Sequence, residues 1–309
     1  MNRGLDTVVR NPHPRTPNAW MRHGQPLVVK VPHLNGDSVP ASVATALDLL
    51  GGLDKAIRSG DRVMIKPNLN CSYALPLSTE LGFLAAAIEL LKDSGACVTV
   101  GEMSGRADGP TEKVIANLRV LPMLRRYGVQ FVNFEKDDWL PLQVNGHYWE
   151  SFRVPRSIYE AEKRVYLANM RCHSSARFTA SIKLSVGWID LADREYLHQD
   201  RDLVEAKVAE LNLGWQPNLV LVDGRRSTVA WHGRGDYVYP NMILASGDMV
   251  ATDAQAVKVL KQYPGDNKLG VPLEEMGQLS VAQEHGLGTI EGVIVEAKAN
   301  TRTEQEAIF

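Results

Sequence analysis

The chain has 309 residues, which is long enough to bury the core of one large α/β domain or of two smaller domains. Charged residues make up 23% of it and the net charge is -2, so it lacks the basic balance typical of a nucleic-acid-binding protein. Its three cysteines, Cys71, Cys97 and Cys172, are widely spaced, which excludes a self-contained zinc or iron–sulfur motif and favours a reducing, cytoplasmic location.

The first 24 residues are rich in arginine, asparagine, proline and histidine and have no apolar core. They are typical of neither a secretory signal nor a membrane anchor, and no later run approaches the roughly 18 apolar residues that a membrane span needs. We expect residues 1–24 to form an irregular arm and residues 25–309 to form a single α/β domain. A division into two lobes near residues 135–160 is the alternative.

Segments with strand periodicity and segments with helix periodicity alternate along most of the chain. The predicted strands are 27–31, 62–66, 97–100, 129–134, 165–168, 217–222, 242–245 and 292–296. The predicted helices are 39–50, a helix from a Ser78 or Thr79 cap to about residue 93, 111–126, 203–213 and 251–260. This alternation predicts an α/β fold built on a doubly wound, mostly parallel sheet.

Residues 136–158 interrupt the alternation. Two segments, 139–144 and 148–154, flank the pair Asn145-Gly146, which favours a two-residue hairpin turn. We therefore expect an antiparallel hairpin excursion from the main sheet.

The strand predicted at 165–168 leads to the strongest candidates for chemistry. It ends in a polar segment with Arg171, Cys172 and His173, and a helical pattern begins shortly afterwards, at Ala176. Lys183 follows that histidine by ten residues, so both can reach one pocket at the carboxyl end of the strand. The imidazole suits a general base or a metal ligand, and the amine suits a nucleophile or an oxyanion clamp. A capping histidine and a surface lysine are the structural alternative.

Polar groups also follow other predicted strands. Lys66 and Asn68 offer a cation and an amide to an anionic oxygen, although an ordinary turn uses the same residues. Glu102 and Ser104 lie in a glycine-containing loop, which either approaches a ligand with its backbone or is simply solvated. Asp223 occupies a position common to carboxylates in metal and nucleotide sites, and equally common in turns.

Two further residues have predicted roles. His198 is a candidate metal ligand together with His173 and Cys172. Asp253 is predicted in the first turn of the helix at 251–260, where a carboxylate stabilises the helix dipole.

Several short motifs, in this order along the chain, resemble the domain of unknown function 362 family. They are Lys66-Pro67-Asn68, Gly101-Glu102-Met103-Ser104, Cys172-His173 with Lys183, His198, Val222-Asp223-Gly224 and the segment 245–254. The resemblance spans roughly residues 27–262. Many members carry a cysteine array for iron–sulfur clusters, which this chain lacks. Where the family tends to show Lys-Thr-His and Lys-Asn, this chain has Arg171-Cys172-His173 and Lys183-Leu184. If the family asparagine contacts a ligand, that contact is lost here.

A more distant likeness connects His173 and Lys183 with the lactate racemase family, which has the same ten-residue interval on a comparable strand-to-helix segment. In that family the lysine carries a nickel pincer nucleotide and the histidine exchanges a proton. The other racemase motifs are not matched, so we expect a similar use of the site without that cofactor.

Together these features favour an enzyme that acts on a small anionic metabolite by acid–base chemistry, with or without a metal ion. The predicted catalytic residues are His173 and Lys183, the predicted ligand-binding residues are Lys66, Asn68, Glu102, Ser104, Arg171 and Asp223, and the candidate metal ligands are His173, His198 and Cys172. The alternatives are a non-catalytic accessory or carrier protein for a metal, an iron–sulfur cluster or a cofactor, and a redox partner of a cluster-bearing subunit. We expect no nucleic-acid or membrane partner, and a homo-oligomer stays open.

Overall fold

A computed structural model describes residues 8–105, 108–230 and 235–297 of the protein. The strands within these ranges are β1 (Met21–Arg22), β2 (Gln25–Pro32), β3 (Arg62–Pro67), β4 (Cys97–Glu102), β5 (Gln130–Asn133), β6 (Trp139–Gln143), β7 (Ser151–Pro155), β8 (Lys163–Asn169), β9 (Arg171–His173), β10 (Arg177–Thr179), β11 (Leu219–Asp223), β12 (Ser227–Thr228), β13 (Tyr237–Val238), β14 (Met242–Ser246) and β15 (Val293–Glu296).

Nine of these strands form one sheet, in the order β1-β2-β14-β11-β8-β3-β4-β5, and β15 pairs with β2. All of them except β1 and β14 run in the same direction. The prediction of a mostly parallel sheet is therefore confirmed. Every predicted strand is present, and its ends lie within about two residues of the predicted ones.

Helices lie between most of the sheet strands. They are α1 (Val39–Leu50), α2 (Leu81–Asp93), α3 (Thr111–Asn117), α4 (Val120–Arg126), α5 (Arg156–Tyr159), α6 (Leu191–Gln199), α7 (Val204–Glu210), α8 (Met249–Leu260) and α9 (Gly277–Glu284). Short 3₁₀ turns are found at Leu53–Lys55, Phe134–Lys136, Ile182–Trp188, Leu211–Leu213 and Leu273–Glu275.

Alternate residues of the central strand β8 enter two separate apolar cores. Val165 and Leu167 belong to the core that includes α1, α2 and α4, whereas Tyr166 and Ala168 belong to the core that includes α7, α8 and α9. A strand buried on both faces explains the continuous apolar run in the sequence. Helices thus cover both faces of the sheet, as the predicted doubly wound arrangement requires.

Two predicted helices differ more than the others from the observed ones. The segment 111–126 forms two short helices, α3 and α4, because Arg119 between them adopts a left-handed backbone conformation with φ of 58°. Helix α2 is capped by the carboxylate of Glu80 rather than by Ser78 or Thr79. The hydroxyl groups of those two residues instead make hydrogen bonds within the loop between β3 and α2.

The predicted hairpin is confirmed as an antiparallel pair, β6 with β7, outside the main sheet. Its turn is longer than the two residues predicted, because residues 144–150 separate the strands. The buried Glu210 carboxylate accepts the backbone N–H groups of His147, Tyr148 and Trp149, which holds this loop open. This partner comes from a helix far along the chain, so no local pattern could indicate it.

The prediction of a helix that begins at Ala176 is wrong. The chain after β8 forms a small two-stranded unit, β9 with β10, and then the 3₁₀ turn Ile182–Trp188. Asp253 of α8 accepts the backbone N–H and the hydroxyl of Ser181 and the N–H of the first residue of the turn. These bonds anchor the start of the turn, and Lys183 is the next residue along the chain.

Residues 1–7 of the predicted N-terminal arm lie outside the described part of the chain. In the remainder of that arm, Arg10 pairs with Leu142 in an isolated bridge and Met21–Arg22 forms β1. Among the helices that the structure describes, none combines the length and the apolar character that crossing a membrane requires. The division into an arm and one domain stays a prediction.

Candidate functional site

A small cavity lies where β3, β4 and β8 end. These neighbouring parallel strands bring the residues that follow them to one edge of the sheet, which is where open α/β folds bind ligands. The cavity, which we call the strand-end cavity, has a volume of about 50 Å³, enough for a few atoms such as one carboxylate or phosphate group. It is lined by Lys66, Asn68, Asn70, Glu102, Met103, Arg171, Thr179, Lys183, Leu184, Val186, Gly187 and Arg194.

Lys66 and Glu102 form a buried ion pair in the wall of the cavity. The Lys66 Nζ atom lies 2.6 Å from Glu102 Oε1, and the two side chains are only 1% and 2% exposed. Lys66 also donates to the carbonyl of Pro67, and Glu102 accepts the N–H groups of Leu69 and Met103. Burial lowers the pKa of Lys66, and the neighbouring carboxylate opposes that shift. The two charges therefore neutralise each other.

Gly187 brings the backbone of the 3₁₀ turn against this ion pair. A Cβ atom at this position would lie 2.5 Å from both Glu102 Oε1 and Lys66 Nζ. Because non-bonded atoms do not approach so closely, glycine is the residue that lets the turn and the ion pair meet. This close approach limits the volume of the cavity.

Lys183 brings to the cavity a cation without a counter-charge. Within the ranges that the structure describes, its ammonium group makes no hydrogen bond or ion pair. Burial lowers the pKa of Lys183, and the nearby guanidinium groups of Arg171 and Arg194 lower it further, to about 7. The amine is therefore divided between its charged and neutral forms near neutral pH, as a group that transfers protons should be.

Two arginines extend the positive wall. Arg171, the first residue of β9, was predicted to bind the ligand, and it donates to the carbonyl of Cys172. Arg194, on α6, was not predicted, and its guanidinium donates to the carbonyls of Met103 and Ser104. No local signal marks Arg194, because α6 reaches the cavity only through tertiary packing.

Asp253 fixes the position of the turn that carries Lys183. Asp253 was predicted in the first turn of a helix. Because α8 begins at Met249, Asp253 lies beyond that first turn instead. Its carboxylate is fully buried. It lies 2.5 Å from Ser181 Oγ, 2.8 Å from Ser181 N and 2.9 Å from Ile182 N. Burial raises the pKa of Asp253 to about 7, and these hydrogen bonds oppose that shift.

His173 lies near Lys183 but does not line the cavity. Its Nδ1 atom is 3.3 Å from the backbone nitrogen atoms of both Ser175 and Ala176. Because Nδ1 accepts from these N–H groups, we assign the proton of the neutral ring to Nε2. Burial and the charges of Lys183 and Arg171 hold the pKa of His173 well below its usual value. The imidazole is therefore a neutral hydrogen-bond donor at Nε2.

The structure does not assemble the predicted metal site of His173, His198 and Cys172. The Cys172 side chain is fully buried in an apolar core, and burial raises the pKa of its thiol to about 12, so it is a packing residue. The His198 ring is exposed, and its Nδ1 atom lies 2.8 Å from the carbonyl of Arg194. Among the described residues, no three or more His, Cys, Asp or Glu side chains form a group that could hold a metal ion.

The other predicted ligand-binding residues fall into two groups. Asn68 lines the strand-end cavity, and its amide donates to two oxygen atoms of the protein. Ser104 follows β4 and Asp223 is the last residue of β11, both at the same edge of the sheet, but neither lines the cavity. The Ser104 hydroxyl makes a hydrogen bond within its own loop, and the Asp223 carboxylate accepts from Arg225 at 2.7 and 2.9 Å. These two side chains therefore stabilise the local structure.

The chain is similar over most of its length to a protein of Synechocystis sp.. Over 257 residues it is 23% identical to the thylakoid-associated protein sll1697 of Synechocystis sp., a match that covers 80% of this chain and 78% of that protein.

Two solved structures are similar at lower levels. A structural-genomics protein of Thermotoga maritima has a TM-score of 0.41 at 12% identity, over 82% of this chain and 61% of that one. The lactate racemase apoprotein of Thermoanaerobacterium thermosaccharolyticum has a TM-score of 0.40 at 12% identity, over 78% of this chain and 57% of that one. The chain thus spans less than two thirds of either structure. The likeness to lactate racemase is a weak similarity of structure and says nothing about activity.

The comparison with family models assigns the chain to a family. A family model described as Domain of unknown function (DUF362) matches residues 63–258, which is more than half of the chain. The matched range contains every residue that lines the strand-end cavity and also the anchoring residue Asp253. It confirms the resemblance predicted from the short motifs. The chain therefore belongs to the DUF362 family.

Proposed function

We propose that the protein binds a small oxyanion, the carboxylate or phosphate group of a metabolite, in the strand-end cavity and that Lys183 exchanges a proton with the bound molecule. One observation carries this proposal. Lys183 shares the cavity with Arg171 and Arg194, whereas Glu102, the one carboxylate lining the cavity among the described residues, is paired with Lys66. Such a surplus of positive charge in a buried space favours the binding of an anion.

The other polar groups of the cavity support an oxyanion as the ligand. The Thr179 hydroxyl is buried and has no hydrogen-bonding partner in the part of the chain that the structure describes. An unpartnered buried hydroxyl costs free energy, so a ligand oxygen would stabilise it. The volume of about 50 Å³ admits only the charged group of a larger molecule. The cavity therefore suits the head group of the ligand rather than the whole ligand.

Lys183 is better suited than His173 to exchange the proton. Its pKa of about 7 makes both protonation states available near neutral pH, and it lines the cavity. The imidazole is held neutral, and its Nδ1 atom already accepts backbone N–H groups. We therefore assign proton transfer to Lys183 and assign His173 the role of a neutral hydrogen-bond donor beside it.

Binding is tested by titrating acetate and phosphate into the wild type, Lys183→Met and Lys163→Met by calorimetry. Lys163 is a matched control, because it is also half-buried but lies at the opposite end of β8. Loss of a charge-assisted hydrogen bond costs about 1.5–3 kcal/mol, so we expect Lys183→Met to weaken binding at least about tenfold. Lys163→Met should bind as the wild type does. Equal affinities in all three proteins, or no binding of either anion, would contradict the proposal.

Proton transfer is tested separately in heavy water. Carboxylates that bind to the wild type are incubated with it and examined by NMR for deuterium at carbon. We expect the wild type and Lys163→Met to incorporate deuterium into at least one bound carboxylate, and Lys183→Met to incorporate none. Binding without any incorporation would show a binding protein and would remove the enzymatic half of the proposal.

The accessory or carrier role is the second hypothesis, and no metal-binding group among the described residues favours it. Cytoplasmic location and the absence of a nucleic-acid partner also stay predictions, and a bound metal ion and a homo-oligomer stay open. The elemental composition and native mass of the purified protein test the metal ion and the oligomer.

A further inference from the structure

The amine of Lys183 is a candidate nucleophile. Within the described ranges its Nζ atom makes no hydrogen bond or ion pair, and its side chain is only half-buried. Because the pKa of this amine is lowered to about 7, about half of it is neutral at neutral pH, against less than about one part in a thousand for a lysine with the ordinary pKa. A neutral lysine amine in such surroundings attacks carbonyl carbon atoms.

Lys66 lines the same cavity but is not available for this reaction. Its Nζ atom lies 2.6 Å from Glu102 Oε1 and donates to the carbonyl of Pro67. The carboxylate favours the charged form of that amine, which has no lone pair to donate. Among the described residues, Lys183 is therefore the one lysine lining the cavity whose amine can act as a nucleophile.

Two arginines can hold a carboxylate beside this amine. Arg171 and Arg194 line the cavity together with Lys183, and its volume of about 50 Å³ admits only a few atoms. An anion bound to the guanidinium groups therefore places its next atom against the amine. The arginines stay charged when the amine is neutral, and their two charges exceed the single charge of a carboxylate. The bound ligand thus leaves the pKa of Lys183 below its ordinary value.

Thr179 offers a hydrogen bond to a second oxygen atom of the ligand. It lines the cavity, and its buried hydroxyl has no partner in the described part of the chain. A hydroxyl donor binds a carbonyl oxygen and stabilises the negative charge that this oxygen gains when a nucleophile attacks. The cavity thus has separate groups for a carboxylate, a carbonyl oxygen and a carbonyl carbon. A 2-oxo acid combines these three features in the fewest atoms.

We propose that Lys183 forms an imine with a 2-oxo acid whose carboxylate is held by Arg171 and Arg194. This inference rests on the proposed function, because the carboxylate occupies the oxyanion site. The Lys183 nitrogen bonds to the carbonyl carbon, and one proton of the amine moves to the carbonyl oxygen. The bond between the carbon and this oxygen then breaks as the C=N bond forms, and the oxygen leaves as water with the second amine proton. Nothing is oxidised or reduced, so no further reactant is needed.

The imine is tested by trapping it in the wild type with glyoxylate, the smallest 2-oxo acid. Cyanoborohydride reduces an imine to a stable secondary amine, and peptide mass mapping then locates the modified lysines. At pH 7 we expect Lys183 to be modified at least about tenfold faster than Lys258, an exposed lysine of α8, because far more of its amine is neutral. Acetaldehyde has a methyl group in place of the carboxylate, so this preference should fall at least about tenfold with it. Acetate should reduce the preference by competition.

Two variants provide the matched control. Lys163→Met changes a half-buried lysine at the opposite end of β8 and should be modified as the wild type is. Lys183→Met should lose the adduct that forms fastest in the intact mass, and its other lysines should react at wild-type rates. The wild-type mapping decides the matter even if Lys183→Met does not fold.

The outcomes separate this inference from the proposed function. If glyoxylate modifies Lys183 no faster than Lys258 while acetate binds, the inference is overturned and the oxyanion site remains. A preference for Lys183 that acetaldehyde shares, or that acetate does not reduce, would also overturn it, since no carboxylate would then be held beside the amine. If neither acetate nor phosphate binds to the wild type, the proposed function fails and the inference fails with it.

Discussion

The two ends of the central sheet hold cavities of very different size. At the amino ends of β3 and β8, a cavity of about 510 Å³ is lined by residues that include Arg62, Glu162, Arg164 and His13 of the N-terminal arm. At the carboxyl ends of the same strands, the strand-end cavity measures only about 50 Å³. Both cavities contain arginines and carboxylates, so neither size nor composition alone shows which is the better candidate site.

The pairing of the charges separates the two ends. At the amino end, Arg62 lies 3.3 Å from Glu162, with 64% and 48% of the side chains exposed, and Arg164 donates to the carbonyl of Ile158. At the carboxyl end, Lys183 is surrounded by other cations. Arg164 is buried as well, but carbonyl oxygens accept its hydrogen bonds, whereas the half-buried Lys183 ammonium has neither a counter-charge nor a hydrogen bond among the described residues. A cation left in this way is costly for folding, so its presence indicates a use. Unpaired charge is therefore a better guide to the site than volume.

The largest expected effect concerns the ion pairs at the two ends. Glu102→Gln leaves the buried Lys66 ammonium without its counter-charge, which should destabilise the protein by about 3–5 kcal/mol in urea unfolding. Glu162→Gln removes the exposed partner of Arg62 and should change the stability little. Removing both buried charges, in Lys66→Met with Glu102→Gln, should recover much of the loss. Similar losses of stability in Glu102→Gln and Glu162→Gln would contradict the difference between the two ends of the sheet.

The next effect concerns the anchor of the 3₁₀ turn. Asp253→Ala leaves the buried N–H groups of Ser181 and Ile182 without an acceptor, at a cost of about 1–3 kcal/mol for each. Because the turn also positions Lys183, anion binding should weaken as well. Asp253→Asn keeps one acceptor oxygen and should restore part of both properties. If Asp253→Ala is less stable but binds acetate with wild-type affinity, the residue has only a structural role.

The smallest expected effect is the pH dependence of binding. The charged form of Lys183 binds the anion, and its pKa in the free protein is about 7, so affinity should fall as the pH rises through that value. We expect sulfate to bind about tenfold more weakly at pH 8 than at pH 6, because the charged fraction falls by about that factor. Sulfate keeps its charge over this range, and His173 stays neutral because its pKa is well below its usual value.

A control separates Lys183 from a second group that titrates nearby. Asp253 also has a pKa of about 7, but its carboxylate binds the start of the 3₁₀ turn and does not line the cavity. Lys183→Met should therefore lose the pH dependence, and Asp253→Asn should retain it. If Asp253→Asn loses the pH dependence of binding and Lys183→Met retains it, the titrating group is Asp253.

Much of the sheet could be predicted from the sequence, because buried strands are apolar runs bounded by turn residues. The same pattern places Lys66, Glu102, Arg171 and Lys183 near one another, since the carboxyl ends of neighbouring parallel strands meet at one edge. The helix predicted around Lys183 was nevertheless wrong, because Asp253 binds the start of a 3₁₀ turn there.

The other errors in the site also arise from tertiary contacts. Arg194 belongs to a helix whose own sequence gives no sign that it reaches the ends of the strands. Cys172 and His198 are polar in sequence context, yet one is buried in an apolar core and the other is exposed on a helix. Spacing along the chain could not reveal this, because the direction of each side chain depends on the packing of its element.

The contact between Gly187 and the Lys66–Glu102 pair has a consequence for how this family can evolve. The missing side chain at 187 leaves room for two long charged side chains that come from separate strands. A larger residue there would displace either the pair or the turn, so we expect substitutions at these three positions to be coupled. Their covariation across DUF362 sequences would identify the members that keep the same narrow cavity.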